Sequence, residues 1–168
     1  TNLLVEGAST EAETPLITAL PDAVETEQQF SLIPLSGSPI VFDPADCQVA
    51  NYVTETLPQC RYTLKFADSE EPSDGTAIQA FDGNINSIWH TEWRAADPPY
   101  PHEIQFELEA AYLISGLRYL PRQSGVNGTI ADYEVYLSQD GANWGTPVAT
   151  GTWPNNINWK TVNFTPQK

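Results

Sequence analysis

The chain of 168 residues contains no methionine, only two cysteines, and seven Lys and Arg side chains against 22 Asp and Glu, which gives a net charge of −15. The shortage of basic side chains excludes a nucleic-acid-binding protein, because binding to phosphates depends on clustered Lys and Arg. It also argues against simple attraction to anionic lipid. No stretch approaches the roughly 18 consecutive apolar residues that a membrane-spanning helix requires, so we expect no transmembrane segment. With 40% hydrophobic residues, the chain has enough apolar surface to build a core.

The two cysteines, Cys47 and Cys60, do not form a CxxC pair. A disulfide between them is a simpler interpretation than two free thiols, and it fits an extracellular setting. Residues 127–129 and 163–165 match the acceptor pattern for N-glycosylation, which is compatible with secretion but does not establish it. We therefore expect a secreted or cell-surface protein.

Charge and aromatic residues divide the chain near residue 60. Residues 1–60 contain nine acidic side chains and no Lys or Arg, whereas residues 61–168 contain the other 13 acidic side chains, all seven basic ones and all five tryptophans. Residues 1–28 are predicted to be a solvated acidic linker, because such a composition buries too little surface to offset the loss of chain entropy. Residues 1–60 are thus expected to be an irregular acidic extension, and residues 61–168 the main domain.

The end of the extension, residues 29–60, contains patterns typical of both strands and a helix. Residues 30–35 and 40–42 are predicted to be two short strands, with Pro34 best tolerated on a sheet edge. Asp46 is a plausible helix N-cap, and Val49, Val53 and Leu57 follow at helical spacing until a proline ends the run.

From residue 61 onward, short strands alternate with turn residues, which is typical of an all-β sandwich. Apolar residues alternate with polar ones in three segments, which places one face of each strand in a core. These apolar positions are Ile104, Phe106 and Leu108; Tyr133, Val135 and Leu137; and Val162 and Phe164.

Three loops carry residues that are suited to binding. In the first, Asp82, Asn84 and Ser87 surround a tight bend at Gly83. Calcium prefers oxygen ligands of these kinds, although an Asp-Gly-Asn turn is also common without a metal.

The second loop contains two tryptophans that flank a histidine, in the order Trp89, His90 and Trp93. An aromatic face can pack on the C–H surface of a sugar ring while an imidazole bonds its hydroxyl groups. Trp89 is the better candidate for the core, and His90 and Trp93 for binding; a purely structural histidine is the alternative.

The third loop follows a strand and contains Arg122 and Asn127. The planar guanidinium group has five donors and suits pairs of adjacent hydroxyls as well as carboxylates. Pairing of Arg122 with one of the many carboxylates is the alternative interpretation.

Taken together, seven segments in this order resemble discoidin domains, also called coagulation factor type C domains, and most closely the galactose-binding family 32 carbohydrate-binding modules. The segments are DSEE (68–71), AFDGN (80–84), WHTEW (89–93), PYPHEI (99–104), LPRQ (120–123), YEVYLSQDG (133–141) and WG (144–145). The resemblance covers about residues 61–168 and implies a galactose-binding-like jelly-roll β-sandwich.

The resemblance also implies the roles of individual residues. A structural calcium ion would be held by the Gln79 carbonyl, Asp82, Asn84 and Ser87, and a sugar by His90, Trp93, Arg122 and Asn127, with Glu71 as a weaker candidate. Discoidin domains continue beyond the strand that contains Val162 and Phe164, so the module is expected to be incomplete at its C-terminus. A partner chain or the remainder of a precursor would complete it, or the predicted strands of residues 29–42 would do so.

The predicted function is non-catalytic binding of galactose-type or related glycans, as part of a larger secreted or cell-surface protein. An adhesion or assembly module that binds protein or lipid is the alternative, but it would favour apolar loop tips, and residues 124–127 are mainly polar. An enzyme is the third possibility. Glu92 lies close to His90 in the sequence, yet no nucleophile with a neighbouring base is evident.

Overall fold

The computed structural model describes residues 2–8, 29–34, 57, 59–84 and 86–168. Its strands form two sheets, a five-stranded sheet in the order β3-β4-β1-β6-β7 and a three-stranded sheet in the order β2-β5-β8, with antiparallel pairing throughout. The strands are β1 Asn2–Ala8, β2 Gln29–Pro34, β3 Tyr62–Ala67, β4 His102–Leu108, β5 Ile114–Leu120, β6 Asp132–Ser138, β7 Ala149–Thr152 and β8 Lys160–Gln167. Two short 3-10 helices, Gln59–Arg61 and Ala77–Ala80, complete the described elements. The predicted all-β class is confirmed.

The alternation in the sequence places the core between the two sheets. Ile104, Phe106 and Leu108 of β4 are buried, and the polar residues between them are partly exposed. On β6 and β8, Val135 and Val162 are buried in the same core cluster. Because side chains on a strand point alternately to opposite faces, this two-residue period was enough to identify the inner face of each strand.

Strand β1 corrects the prediction of a solvated linker for residues 2–8, whereas residues 9–28 of that predicted linker lie outside the described part of the chain. Asn2–Ala8 lies in the middle of the five-stranded sheet, antiparallel to both β4 and β6, so that Leu3 is opposite Phe106 and Leu137. The linker prediction averaged charge over 28 residues and so overlooked the short apolar run at residues 3–5. A short segment can form a central strand, because hydrogen bonds to the strands on both sides satisfy its backbone N–H and C=O groups.

Strand β2 confirms the first of the two predicted N-terminal strands. Gln29–Pro34 pairs with β5 on the edge of the three-stranded sheet, and the register shifts between Ile33 and Pro34, where a proline cannot donate to the ladder. The predicted strand at residues 40–42 lies outside the described residues, as does the predicted helix apart from Leu57. The expected Cys47–Cys60 disulfide also has one partner outside them and stays a prediction.

Two stacked aromatic pairs contribute to the core of the sandwich. Tyr62 stacks on Phe106 at 5.1 Å between ring centroids, and Tyr133 stacks on Trp153 at 3.9 Å. The Trp89 side chain is fully buried, and its Nε1 donates a hydrogen bond to the Ser69 carbonyl at 2.9 Å. The prediction that Trp89 belongs to the core is therefore confirmed, and the residues that follow it emerge from a rigid base.

Candidate functional site

Loops from separate parts of the chain meet at one end of the sandwich and enclose a cleft of about 350 Å³. Its lining residues are Asp74, Ile88, His90, Trp93, Arg122 and Asn127. Four of these, His90, Trp93, Arg122 and Asn127, are residues that the sequence proposed for sugar binding. The fold brings them together although they are separated by up to 37 positions along the chain.

His90 is fixed at the base of the cleft by its backbone and its ring. Its backbone N–H donates to the Gly75 carbonyl at 3.0 Å, and its carbonyl accepts from the Glu71 N–H at 2.7 Å. The ring Nδ1 lies 2.6 Å from the Thr91 carbonyl oxygen. Since a carbonyl only accepts hydrogen bonds, Nδ1 carries a proton, and this tautomer of the imidazole has Nε2 as an acceptor.

Trp93 forms the aromatic wall of the cleft, and Arg94 contacts it. The Trp93 side chain is 47% exposed, and its ring is tilted by 58° relative to the His90 ring, with 6.3 Å between the centroids. The Arg94 guanidinium carbon lies 4.9 Å from the centre of the Trp93 ring, within the range of a cation–π contact. Arg94 also pairs with Asp74 at 2.7 Å. It therefore joins the tryptophan loop to the loop that contributes Asp74.

Glu71 is not among the residues that line the cleft. It is only 3% exposed, and its carboxylate accepts a hydrogen bond from the Ser73 hydroxyl at 2.8 Å and lies 3.6 Å from the Arg94 guanidinium. The Ser73 hydroxyl, assisted by the Trp93 backbone N–H and Arg94, holds the pKa of Glu71 below its ordinary value against the opposing effect of burial. Through these contacts, Glu71 holds the loop of residues 71–75 in place.

The acidic residue of this loop that reaches the cleft is Asp74, which the sequence reasoning missed. Both carboxylates lie in the same polar segment, and only the segment's conformation decides which one faces the cleft. That conformation is a tight turn in which the Gly75 N–H donates to the Glu71 carbonyl at 2.9 Å. The signal in the sequence was the glycine directly after Asp74, because a glycine allows another segment to approach the backbone closely.

Gly75 leaves no room for a side chain. A Cβ atom at this position would lie 2.7 Å from the His90 Cβ and 3.0 Å from the His90 backbone nitrogen. We therefore expect Gly75→Ala to push the loop of residues 71–75 away from His90 and to lower the free energy of unfolding by about 1–3 kcal/mol. Urea denaturation gives the free energy, and NMR signals of the His90 imidazole report the displacement. Unchanged stability together with unchanged imidazole signals would contradict the expected clash.

Arg122 and Asn127 form the opposite wall. Arg122 lies two residues beyond the end of β5, and its Nη2 is 3.4 Å from the Ser124 hydroxyl. The loop then reverses direction with Gly128 at a φ of 75°, and the Thr129 hydroxyl donates to the Val126 carbonyl at 2.8 Å. This closed turn leaves Asn127 exposed at the cleft. The wall therefore presents a guanidinium donor set next to an amide that both donates and accepts.

The residues proposed for calcium lie in the Asp82–Ser87 loop. The Ser87 Oγ is 2.7 Å from the Asp82 Oδ2 and also 2.7 Å from the Asn84 carbonyl oxygen. A hydroxyl has a single proton and cannot donate to both oxygens at once, so this close grouping suits a hard cation. Gln79 lies in the preceding 3-10 helix, and its side-chain Oε1 is buried with no hydrogen-bond partner in the described structure.

Within the described part of the chain, no group of three or more His, Cys, Asp and Glu residues is placed to hold a metal ion. Any cation at the Asp82 loop would therefore be bound by one carboxylate together with neutral oxygens. Side chains and backbone carbonyls of this kind are ligands that calcium accepts.

The cleft and the loops around it can be compared with known proteins. A model of the F5/8 type C domain family matches residues 65–168. The chain belongs to this family. The resemblance to discoidin domains is thereby confirmed.

Among relatives of this F5/8 type C domain, a sialidase of Micromonospora viridifaciens is 44% identical over 104 residues. The match covers 60% of this chain and only 16% of the sialidase. The F5/8 type C domain thus corresponds to a small part of that relative.

Two solved structures from Clostridium perfringens share the fold. CpGH89CBM32-5, in complex with GalNAc-β-1,3-galactose, has a TM-score of 0.62 and 36% identity, and the match covers 66% of this chain and 80% of that one. The family 32 carbohydrate-binding module of NanJ, in complex with galactose, has a TM-score of 0.57 and 39% identity, with coverage of 66% and 77%. Both are carbohydrate-binding modules, which are non-catalytic, and the galactose-binding-like sandwich is confirmed. No helix in the described residues of the F5/8 type C domain is long and apolar enough to cross a membrane.

Proposed function

We propose that this F5/8 type C domain is a non-catalytic module that binds galactose-type or related glycans in the cleft at His90, Trp93, Arg122 and Asn127. The observation that carries the proposal is that these four residues, from two separate loops, line one cleft. Its volume of about 350 Å³ falls in the range of about 300–1,000 Å³ that is typical of small-molecule sites. The sugars bound by the two Clostridium perfringens structures support the same ligand class.

The chemistry of the cleft suits a ligand that has both hydroxyl groups and an apolar face. The Trp93 indole can pack on the C–H side of a pyranose ring. The Arg122 guanidinium can donate to two neighbouring hydroxyl oxygens, and the His90 Nε2 can accept from a third hydroxyl. Asn127 supplies a further donor and acceptor. Such a set of fixed polar groups selects the orientation of hydroxyls, while the aromatic face contributes contact area.

A structural calcium ion is part of this proposal. The Gln79 carbonyl, the Asp82 carboxylate, the Asn84 carbonyl and the Ser87 hydroxyl are the oxygens that would hold it. The buried side-chain Oε1 of Gln79 also has no hydrogen-bond partner within the described residues. When bound, the ion would neutralise the carboxylate and tie the ends of the loop together. Ser87 comes three residues before His90, so a fixed loop would help to hold the base of the cleft.

We further propose that the module is part of a larger secreted or cell-surface protein, with the Cys47–Cys60 disulfide formed. The proposal is supported by the small share of the sialidase that this chain matches. It is also supported by the presence of two cysteines at a spacing that suits a disulfide rather than a metal site.

Isothermal titration calorimetry with galactose and with glucose tests the sugar proposal. The two sugars differ in the orientation of one hydroxyl, so a cleft with fixed polar groups should bind galactose measurably and glucose at least about tenfold more weakly. Binding in the millimolar to micromolar range would be ordinary for a single sugar ring. A folded protein that gives no heat with galactose, N-acetylgalactosamine or a galactose-ended oligosaccharide would contradict the proposal.

A further inference from the structure

Beside the cleft, the segment between β7 and β8 exposes two large apolar side chains. Ile157 is 41% exposed and Trp159 is 43% exposed. Exposed tryptophan is unusual on a protein surface and often marks a binding site, because its large ring loses favourable contacts when it faces water. No residue of this segment lines the cleft itself, so the proposed sugar site does not account for it.

The segment lies directly against the Arg122 wall of the cleft. Strands β5 and β8 are antiparallel, with Tyr119 opposite Lys160, so the start of β8 lies where β5 ends and leads to Arg122. The Gln123 side-chain amide joins the two loops, because its Nε2 donates to the Pro121 carbonyl at 2.8 Å and to the Ile157 carbonyl at 2.9 Å. The surface that carries Ile157 and Trp159 is thus continuous with the rim of the cleft.

A buried lysine holds this segment in one conformation. Lys160 is only 4% exposed, and its Nζ donates to the Asn156 carbonyl at 2.7 Å, the Asn156 Oδ1 at 2.6 Å and the Asn158 carbonyl at 2.8 Å. All three ammonium protons are therefore used, and all three acceptors belong to the segment before Trp159. Burial lowers the pKa of Lys160 to about 8, and the amine still stays mostly charged at neutral pH. A pre-formed segment loses little entropy when a ligand binds to it.

We propose that Ile157 and Trp159, held by Lys160, form a second subsite that contacts the next sugar of an oligosaccharide whose first sugar occupies the cleft. The inference rests on the proposed function. The cleft, at about 350 Å³, is at the lower end of the size range for ligand sites. The remaining sugars of a longer bound glycan must therefore extend beyond the cleft and across its rim. On the Arg122 side the rim continues through Gln123 to Ile157, and Trp159 offers an aromatic face for a second ring.

The test compares a monosaccharide with longer glycans in the same calorimetric titration. The probes are galactose, the disaccharide GalNAc-β-1,3-galactose, and a galactose-ended tetrasaccharide. We expect Trp159→Ala to bind galactose with unchanged affinity and to bind at least one of the longer glycans about tenfold more weakly than the wild type. Phe66→Ala is the matched control, because Phe66 is an aromatic residue that is 46% exposed on β3, outside the cleft and outside this segment.

A second variant tests the segment as a whole. Lys160→Met removes the ammonium that holds Asn156 and Asn158, and we expect it to reduce affinity for the longer glycans while galactose affinity is retained. The proposal of a second subsite is wrong if the wild type binds galactose and both Trp159→Ala and Lys160→Met bind every longer glycan as well as the wild type does. In that case the proposal that the cleft binds galactose still holds. If Trp159→Ala instead loses binding to phosphatidylcholine vesicles and keeps all glycan binding, the segment is a lipid contact. A wild type that binds no sugar overturns both proposals.

Discussion

Arg122→Ala is expected to weaken galactose binding on the order of 100-fold or more, with a change in the free energy of unfolding of less than about 1 kcal/mol. Arg122 lies in a loop beyond β5 and lines the cleft, and its Nη2 is 3.4 Å from the Ser124 hydroxyl. Hydrogen bonds from a charged group contribute about 1.5–3 kcal/mol each, so two of them to sugar hydroxyls account for the expected loss. Calorimetry gives the affinity, and thermal unfolding gives the stability.

Two further variants test whether binding depends on the charge of Arg122, on the planar shape of its guanidinium group, or on the loss of any arginine from this part of the protein. Arg122→Lys keeps the positive charge and removes the planar fork, so we expect it to recover only a small part of the affinity. Arg118→Ala removes the same residue type four positions earlier on β5, outside the cleft lining, and should leave galactose binding unchanged. A large loss of stability in Arg122→Ala would instead assign Arg122 a structural role, and full affinity in that variant would remove it from the site.

Removal of calcium is expected to have the second large effect. At a calcium concentration about 100-fold above its dissociation constant, binding to the folded state alone stabilises it by about 2.7 kcal/mol. For a chain of this size, we expect chelation with EGTA to lower the midpoint of thermal unfolding by roughly 10 °C. Addition of calcium in excess of the chelator should restore the midpoint, and magnesium should restore it less well, because it demands smaller, octahedral geometry.

The Asp82 loop provides the control for this experiment. Ser87→Ala removes an oxygen that lies 2.7 Å from both the Asp82 carboxylate and the Asn84 carbonyl. We expect this variant to unfold at the same temperature with and without calcium, close to the midpoint of the chelated wild type. A wild-type midpoint that does not respond to calcium, or a Ser87→Ala variant that responds as strongly as the wild type, would argue against a cation in this loop.

The strands were the part of the fold that the sequence predicted well. Burial of Ile104, Phe106 and Leu108 follows from a two-residue period that is visible in any short window. Strand β1 was missed because it is not visible in a short window of the sequence. Its position between β4 and β6 depends on partners about 100 and 130 residues away, and nothing within Asn2–Ala8 distinguishes a central strand from a short apolar stretch in an acidic segment.

The candidate site shows the same division. His90, Trp93, Arg122 and Asn127 were selected from loop composition and from the discoidin resemblance, and the fold places all four around one cleft. The loop of residues 71–75 was different, because Glu71 was proposed and Asp74 is the carboxylate that reaches the cleft. The two side chains differ little in chemistry, and the turn closed by Gly75 decides between them.

The sequence by itself determined the residue types available for binding, the faces of the strands and the family, because each of these depends on local pattern or on an ordered series of short segments. It also predicted, from only seven basic side chains, that the chain does not bind nucleic acid. The tertiary structure decided which loops share a cleft, which carboxylate faces it, and that a buried Lys160 fastens an exposed Trp159 beside it. These are contacts between segments distant along the chain or between loops whose conformation is set by packing, and no local pattern specifies them.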